Sequence, residues 1–286
     1  MRFAVFILSH ARANRVETYN TLRDAGYTGK IYITVDDEDS QLSTYKDRFE
    51  NSDDDTELLV FGKQPMIDIA DTVYPEKKRS SALYARNFIE NMAEIFRLDT
   101  FAMMDDDITS LRFRWIEDGS VKSHIVNSTM DKVFEYYSQY IIDAEIATAS
   151  FPYSMFYVSG TSGLDKKITE SRHTYQIHIR NTNFPVDWVS VINQDTITQL
   201  QTMQVGYIWW SIPYLVFDAE PMNSKSGGLK SVYDSIKDFD MAFLAVISNP
   251  SCCKVAYSSG PRSTMQIKED KHTSYPMIVS ERYMKL

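Results

Sequence analysis

The sequence predicts an α/β protein with a mostly parallel sheet flanked by helices and a strand-rich C-terminal part. Two observations carry this reading. Short apolar runs alternate with helix-spaced amphipathic segments through the first half, the βαβ rhythm of a parallel, doubly wound sheet. The runs themselves are continuous rather than alternating, as strands buried on both faces are.

Phe3–Leu8 is the first run. It follows Met1 and Arg2 as a signal segment would, but it is short and is followed by His10, Arg12 and Arg15, so it reads as a buried strand. A helix follows with Val16, Tyr19 and Leu22 on one face and Gly26 just past its end. Residues 31–35 form a second strand that runs into Asp36, Asp37, Glu38 and Asp39. A polar loop with Asp53, Asp54 and Asp55 precedes a third run at 57–61. Residues 81–96 space Ala82, Ala85, Ile89, Met92, Ala93 and Phe96 along one helical face. Residues 100–104 are then a strand leading into Asp105, Asp106 and Asp107. Further on, Ser128 is expected to cap a helix with Met130, Val133, Phe134, Tyr137 and Ile141 inside. Strands are expected at 145–150, 175–180 and 206–217, with a helix at 195–204.

Composition limits the function. The 43% hydrophobic and 24% charged content is that of a soluble globular enzyme. A net charge of −9 argues against a protein that coats nucleic acid, because neutralising phosphates needs an excess of Lys and Arg, but a local basic groove stays open. The 18 tyrosines suit either a site that stacks on flat ligands or a dense core. No run approaches the roughly 18 apolar residues of a membrane span. Cys252 and Cys253 are adjacent, a poor geometry for a disulfide, and a reducing cytoplasm is the expected location.

Three consecutive carboxylates at the end of a buried strand repel one another unless a positive charge lies between them. That edge of an open α/β sheet is also where ligands bind. A hard divalent cation with oxygen ligands, Mn2+ or Mg2+, resolves the repulsion and bridges to phosphate. Spacing places Asp105 and Asp107 on the same side of an extended chain. The other aspartate triplet, Asp53 to Asp55, follows no strand and reads as a solvated turn.

These motifs resemble a family. The opening strand with Ser9, His10, Ala11 and Arg12, then Ala85-Arg86-Asn87, Asp105 through Ile108, Asn193-Gln194-Asp195 before Gly206-Tyr207, and Ser226-Gly227-Gly228 occur in the order seen in the TET-associated glycosyltransferases. Those enzymes resemble GT-A-like (Rossmann-like) glycosyltransferases, and the likeness spans residues 3 to 233. One departure is Gln194, where such enzymes usually carry Glu; Asp195 is left as the carboxylate of that motif.

The resemblance implies a uridine diphosphate sugar as donor and a hydroxymethylated pyrimidine in DNA as acceptor, 5-hydroxymethylcytosine first; a protein, glycan or small acceptor is the alternative. No internal repeat or interdomain linker is seen in the sequence, so one domain over residues 1–286 is expected, with 1–110 binding nucleotide and 111–286 binding acceptor. Asp105 and Asp107 are the expected metal ligands, with His272 either a third ligand or a surface residue. Ser9, His10, Arg12, Asp36, Arg86, Asn87 and Asp106 are expected around the donor. Ser226, Gly227 and Gly228 are either a sugar-contacting loop or a plain turn. Asp195 is expected to act on the acceptor hydroxyl, to cap its helix, or both. The competing enzyme classes are a sugar nucleotidyltransferase, disfavoured because residues 9–12 hold no glycine, and a metal nuclease. A binding module built on a degenerate enzyme is the reading outside enzymes.

Overall fold

Val5, Phe6 and Ile7 of the first apolar run are fully buried, and the sheet grows outward from them. A computed structural model describes residues 1–50, 52, 54–70, 79, 81–157, 174–211, 213–220, 238–250, 253–257 and 265–269. The first elements run β1 (Phe3–Leu8), α1 (Glu17–Asp24), β2 (Ile31–Asp36), α2 (Leu42–Phe49), β3 (Thr56–Phe61), α3 (Lys63–Ile69), α4 (Ala82–Ile95) and β4 (Thr100–Asp105). A hairpin, β5 (Ile108–Glu117) and β6 (Ser120–Ile125), is followed by α5 (Met130–Asp143), β7 (Thr148–Ser150) and a 3-10 turn (Ser154–Tyr157). The chain continues through β8 (Ile177–Asn181), α6 (Gln194–Gln204), β9 (Trp209–Ser211), β10 (Leu215–Ala219), α7 (Asp238–Ser248), β11 (Cys253–Tyr257) and β12 (Met265–Glu269).

The main sheet has the order β3-β2-β1-β4-β8-β7-β9, and its first four strands are parallel. β8 then pairs antiparallel with both β4 and β7. Val5, Ile7, Ile33, Ala102 and Met104 face one apolar cluster, and Ala4, Phe6, Phe101 and Met103 face the other. This two-sided burial explains the continuous apolar runs, each large side chain contributing roughly 1.5–3 kcal/mol on leaving water. Among the described residues no helix is long and apolar enough to cross a membrane.

Several expectations are corrected. Ser128 does not cap α5: the N-cap is Thr129, without a side-chain bond, and Ser128 sits at φ 52°. The amides of Thr129 and Met130 are instead taken by the Ala25 carbonyl. This close approach requires Gly26, at φ 82°, because a Cβ there would lie 2.3 Å from Ser128 Cα. The strand expected at 145–150 shortens to β7, because Glu145 adopts φ 51° to end α5. The run at 206–217 divides into β9 in the main sheet and β10, which joins β5 and β6 in a second sheet. Pro213 lies between them, and proline cannot donate to a ladder. The β5–β6 hairpin itself has no antecedent in the sequence reading.

Candidate active site

The β1–β4 register pairs Leu8 with Asp105, so the carboxyl ends of β1 and β4 finish together, and Asp36 closes β2 beside them. Asp105 ends β4, and Asp106 and Asp107 form a tight turn into β5. The three aspartates therefore span a strand end and a turn rather than one extended chain, which corrects the extended geometry from which their spacing was read. The turn is braced by α1. Thr18 Oγ1 donates to the Asp105 carbonyl at 2.6 Å and accepts from the Ile108 amide at 3.0 Å, while the Thr18 amide reaches the Asp106 carbonyl.

Asp106 and Asp107 share Arg12, whereas Asp105 faces Arg86. Asp106 points inward: Oδ1 accepts from Arg12 Nη1 at 2.6 Å and Oδ2 from Ser9 Oγ at 2.5 Å. Tyr45 extends this cluster, with its hydroxyl 2.6 Å from Ser9 Oγ and accepting from the Arg12 amide. Asp107 accepts from Gln176 Nε2 at 3.1 Å and lies 3.4 Å from Arg12 Nη1. Asp105 Oδ1 is 3.2 Å from Arg86 Nη2. Burial pushes Asp105 up to about 8, and the charges of Asp107, Asp195 and Asp106 add to this against Arg86. Burial likewise raises Asp106 to about 6, opposed chiefly by Arg12.

Arg86, expected around the donor, is buried beneath the turn. Its side chain is only 2% exposed and lies 4.6 Å over the Trp188 ring. Nη1 reaches Asp195 Oδ1 at 3.1 Å. Asp195 is not the cap of α6, a position held by Asn193 at φ 51°; it lies in the first turn, and Oδ1 is also 3.2 Å from His178 Nε2. His178 is fully buried on β8, and burial lowers it to about 4, so the ring is neutral and its Nε2–H faces the carboxylate. Gln194 is 4% exposed, so the amide spares the fold a buried charge. Asn87 turns aside to exchange two hydrogen bonds with the Trp188 backbone.

A second charged cluster closes β1 and β2. His10 Nδ1 is 3.0 Å from Asp36 Oδ2 and 3.2 Å from Asp39 Oδ2, and Lys63 Nζ is 3.1 Å from Asp36 Oδ1. His10, Asp36 and Asp39 bring ligand atoms within 4.8 Å of one another, the spacing of a metal site. The cluster is also balanced internally, two carboxylates against Lys63 and a His10 that the two aspartates raise to about 9. Among the described residues Asp105 and Asp107 belong to no such three-ligand group. Ser226, Gly227, Gly228 and His272 lie outside the described residues.

Sequence reasoning named Asp39 only as part of an acidic cluster and assigned no role to Tyr45, Lys63, Gln176 or His178. The last four carry no local signal, because each meets its partner from a distant part of the chain.

A parallel β3-β2-β1-β4 core gathers an acidic turn and a charged loop at its carboxyl edge, the ligand-binding edge of an open α/β sheet. The family model for TET-associated glycosyltransferases matches residues 3–215, so the chain belongs to that family and is a glycosyltransferase. No curated protein matches it. Similar solved structures include mouse xyloside xylosyltransferase 1 in its apo form, at 8% identity over 64% of this chain and 67% of that one, TM-score 0.35. A CMP:2-keto-3-deoxy-manno-octonic acid synthetase complexed with CTP has 8% identity over 74% and 90%, TM-score 0.38. HddC from Yersinia pseudotuberculosis has 9% identity over 77% and 93%, TM-score 0.36.

Proposed function

We propose that this enzyme transfers a sugar from a uridine diphosphate sugar to the hydroxyl of 5-hydroxymethylcytosine in DNA. The observation that carries the reading is the charge of the turn. Carboxylates outnumber cations there: Asp105, Asp106, Asp107 and Asp195 meet two guanidiniums, Arg12 and Arg86, among the described residues, and burial with their mutual repulsion raises Asp105 and Asp106. That excess and its hard oxygen donors fit a divalent cation, Mn2+ or Mg2+. Asp105 and Asp107 would hold it, with His272 as the third ligand of the proposal. When bound, the ion supplies neutralisation of the leaving diphosphate. The balanced His10 cluster has no such excess.

Residues 1–110 then form the donor half and 111–286 the acceptor half. His10, partly exposed beside Asp36, borders the nucleoside, and Ser9 and Arg12 fix the loop that carries it. Ser226, Gly227 and Gly228 remain in the proposal as the sugar-side loop. Transfer forms a bond from the acceptor oxygen to the anomeric carbon and breaks the bond from that carbon to the diphosphate, which keeps the electron pair. Asp195 takes the hydroxyl proton if the reaction inverts.

Family membership supports the DNA acceptor, and so does the β5–β6 hairpin that leaves the acidic turn. On one face of the hairpin Trp115 pairs across the strands with Lys122, and Phe113 with His124. Trp115 is 40% exposed, and such a face suits a base or backbone of DNA. The test incubates the enzyme with Mn2+, uridine diphosphate sugars and DNA carrying hydroxymethylcytosine or cytosine, then weighs the digested nucleosides. Sugar on the hydroxymethylated base alone is expected. Donor turnover without any modified nucleoside would move the acceptor to a protein or glycan.

A further inference from the structure

Within the reading just proposed, the geometry points to Arg86 as a positioning residue that clamps the donor-side carboxylate to the acceptor-side carboxylate; we infer that it does not itself bind the donor. Asp105 arrives on β4 and Asp195 on α6, two elements brought together only by the fold. Arg86 enters between them from α4, with Nη2 at 3.2 Å from Asp105 Oδ1 and Nη1 at 3.1 Å from Asp195 Oδ1. One planar fork thus fixes both carboxylates, a geometry that a lysine ammonium does not reproduce. The fork is itself held. Trp188 stacks against it at 4.6 Å, and the guanidinium is walled off from solvent, so no face is presented to a diphosphate outside.

His178 completes the arrangement from β8. Its Nε2 shares Asp195 Oδ1 with Arg86, and its ring packs edge-on against Trp188 and Trp209. Met103 of β4 pairs with His178, so the strand that ends in Asp105 also sets the ring that orients Asp195. The distance between the donor and acceptor carboxylates is therefore set by one arginine and two aromatic walls. In transfer chemistry small errors in such a distance lower the rate of the chemical step more than they lower binding.

The experiment compares wild type, Arg86→Lys, Asp195→Asn and the double variant in transfer kinetics. It also follows the His178 ring nitrogens by NMR at one pH in the apo protein. Arg86→Lys should lower kcat at least tenfold while the donor KM stays within about threefold, and adding it to Asp195→Asn should change kcat by less than about threefold. A raised donor KM with kcat preserved would make Arg86 a donor ligand and overturn the clamp, as would multiplicative effects in the double variant. The NMR arm needs neither an arginine variant nor active enzyme, so it stands if Arg86→Lys does not fold or if DNA receives no sugar. Asp105→Asn should shift the His178 ring signal through Arg86, whereas Asp107→Asn should leave it in place. A His178 signal unmoved by Asp105→Asn overturns the proposal.

Discussion

Arg12 Nη1 lies 2.6 Å from Asp106 Oδ1, joining the loop after β1 to the turn after β4. With Ser9 on the other oxygen, Asp106 is a brace, and its neighbour Asp107 is the more accessible carboxylate, 20% exposed. The two residues therefore separate by experiment. Asp106→Ala leaves Arg12 without its closer partner and should cost about 2–4 kcal/mol in urea unfolding. Asp107→Ala should cost under about 1 kcal/mol, yet abolish transfer and metal-dependent donor binding. Equal stability losses would mean that the turn shares its charges and that Asp106 holds no special place.

Asp54 provides a control outside the site. It accepts from Tyr19, from Arg23 at 2.6 Å and from Ser52, and these bonds lower its carboxyl to about 2 against the cost of burial. Because it is about one-third exposed, Asp54→Ala should cost only about 1 kcal/mol. Transfer measured well below the melting temperature should match wild type.

Asp195→Asn tests the acceptor carboxylate. The substitution keeps a hydrogen-bonding oxygen for His178 but removes the charge that faces the buried Arg86. A loss of about 1–3 kcal/mol in thermal unfolding is expected, together with a fall in turnover of roughly two orders of magnitude. Turnover close to wild type in a folded variant would take Asp195 out of the chemistry.

The His10 cluster has its own pH signature. Asp36 and Asp39 raise His10 from 6.5 to about 9, so its contribution to folding is complete below pH 6.5 and is lost as pH rises through 9. His10 and Lys63 hold Asp36 at about 2 against burial, so that contribution is present above pH 3.8 and is lost as pH falls through 2. The stability gap between wild type and His10→Gln should be widest between about pH 4 and 6.5. It should narrow by about 1–2 kcal/mol toward pH 9, a figure discounted for partial exposure. A gap independent of pH would show that the aspartates do not hold a charged imidazole.

The hairpin is tested by DNA affinity. Trp115→Ala removes an exposed indole from a strand paired in the second sheet, beyond the Ile108 and Leu111 that β5 contributes to the core, so the fold should be unaffected. Binding of hydroxymethylcytosine DNA should weaken by about five- to a hundredfold, the range of one stacked base, while donor hydrolysis in the absence of DNA stays at the wild-type rate. Unchanged affinity in a fluorescence titration would leave the hairpin without a role at the acceptor.

Sequence alone determined the parallel core, because strands buried on both faces must be continuous apolar runs and helices between them must be one-sided. It also located the acidic turn, since three charges ending a buried strand stand out against the apolar residues before them. It misjudged positions whose meaning depends on a partner far along the chain. Ser128 looked like a cap, but the Ala25 carbonyl, reached through the Gly26 contact, takes the helix amides. Arg86 read as a donor contact, because helical periodicity records how polar a face is and not whether a buried carboxylate waits beneath it. Only the pairing of β4 with β8 and the docking of α6 set Asp105, Asp195 and His178 around that guanidinium. Burial patterns are local and can be read in order along the chain; the cancellation of buried charges is pairwise and non-local, so it is decided by the tertiary structure.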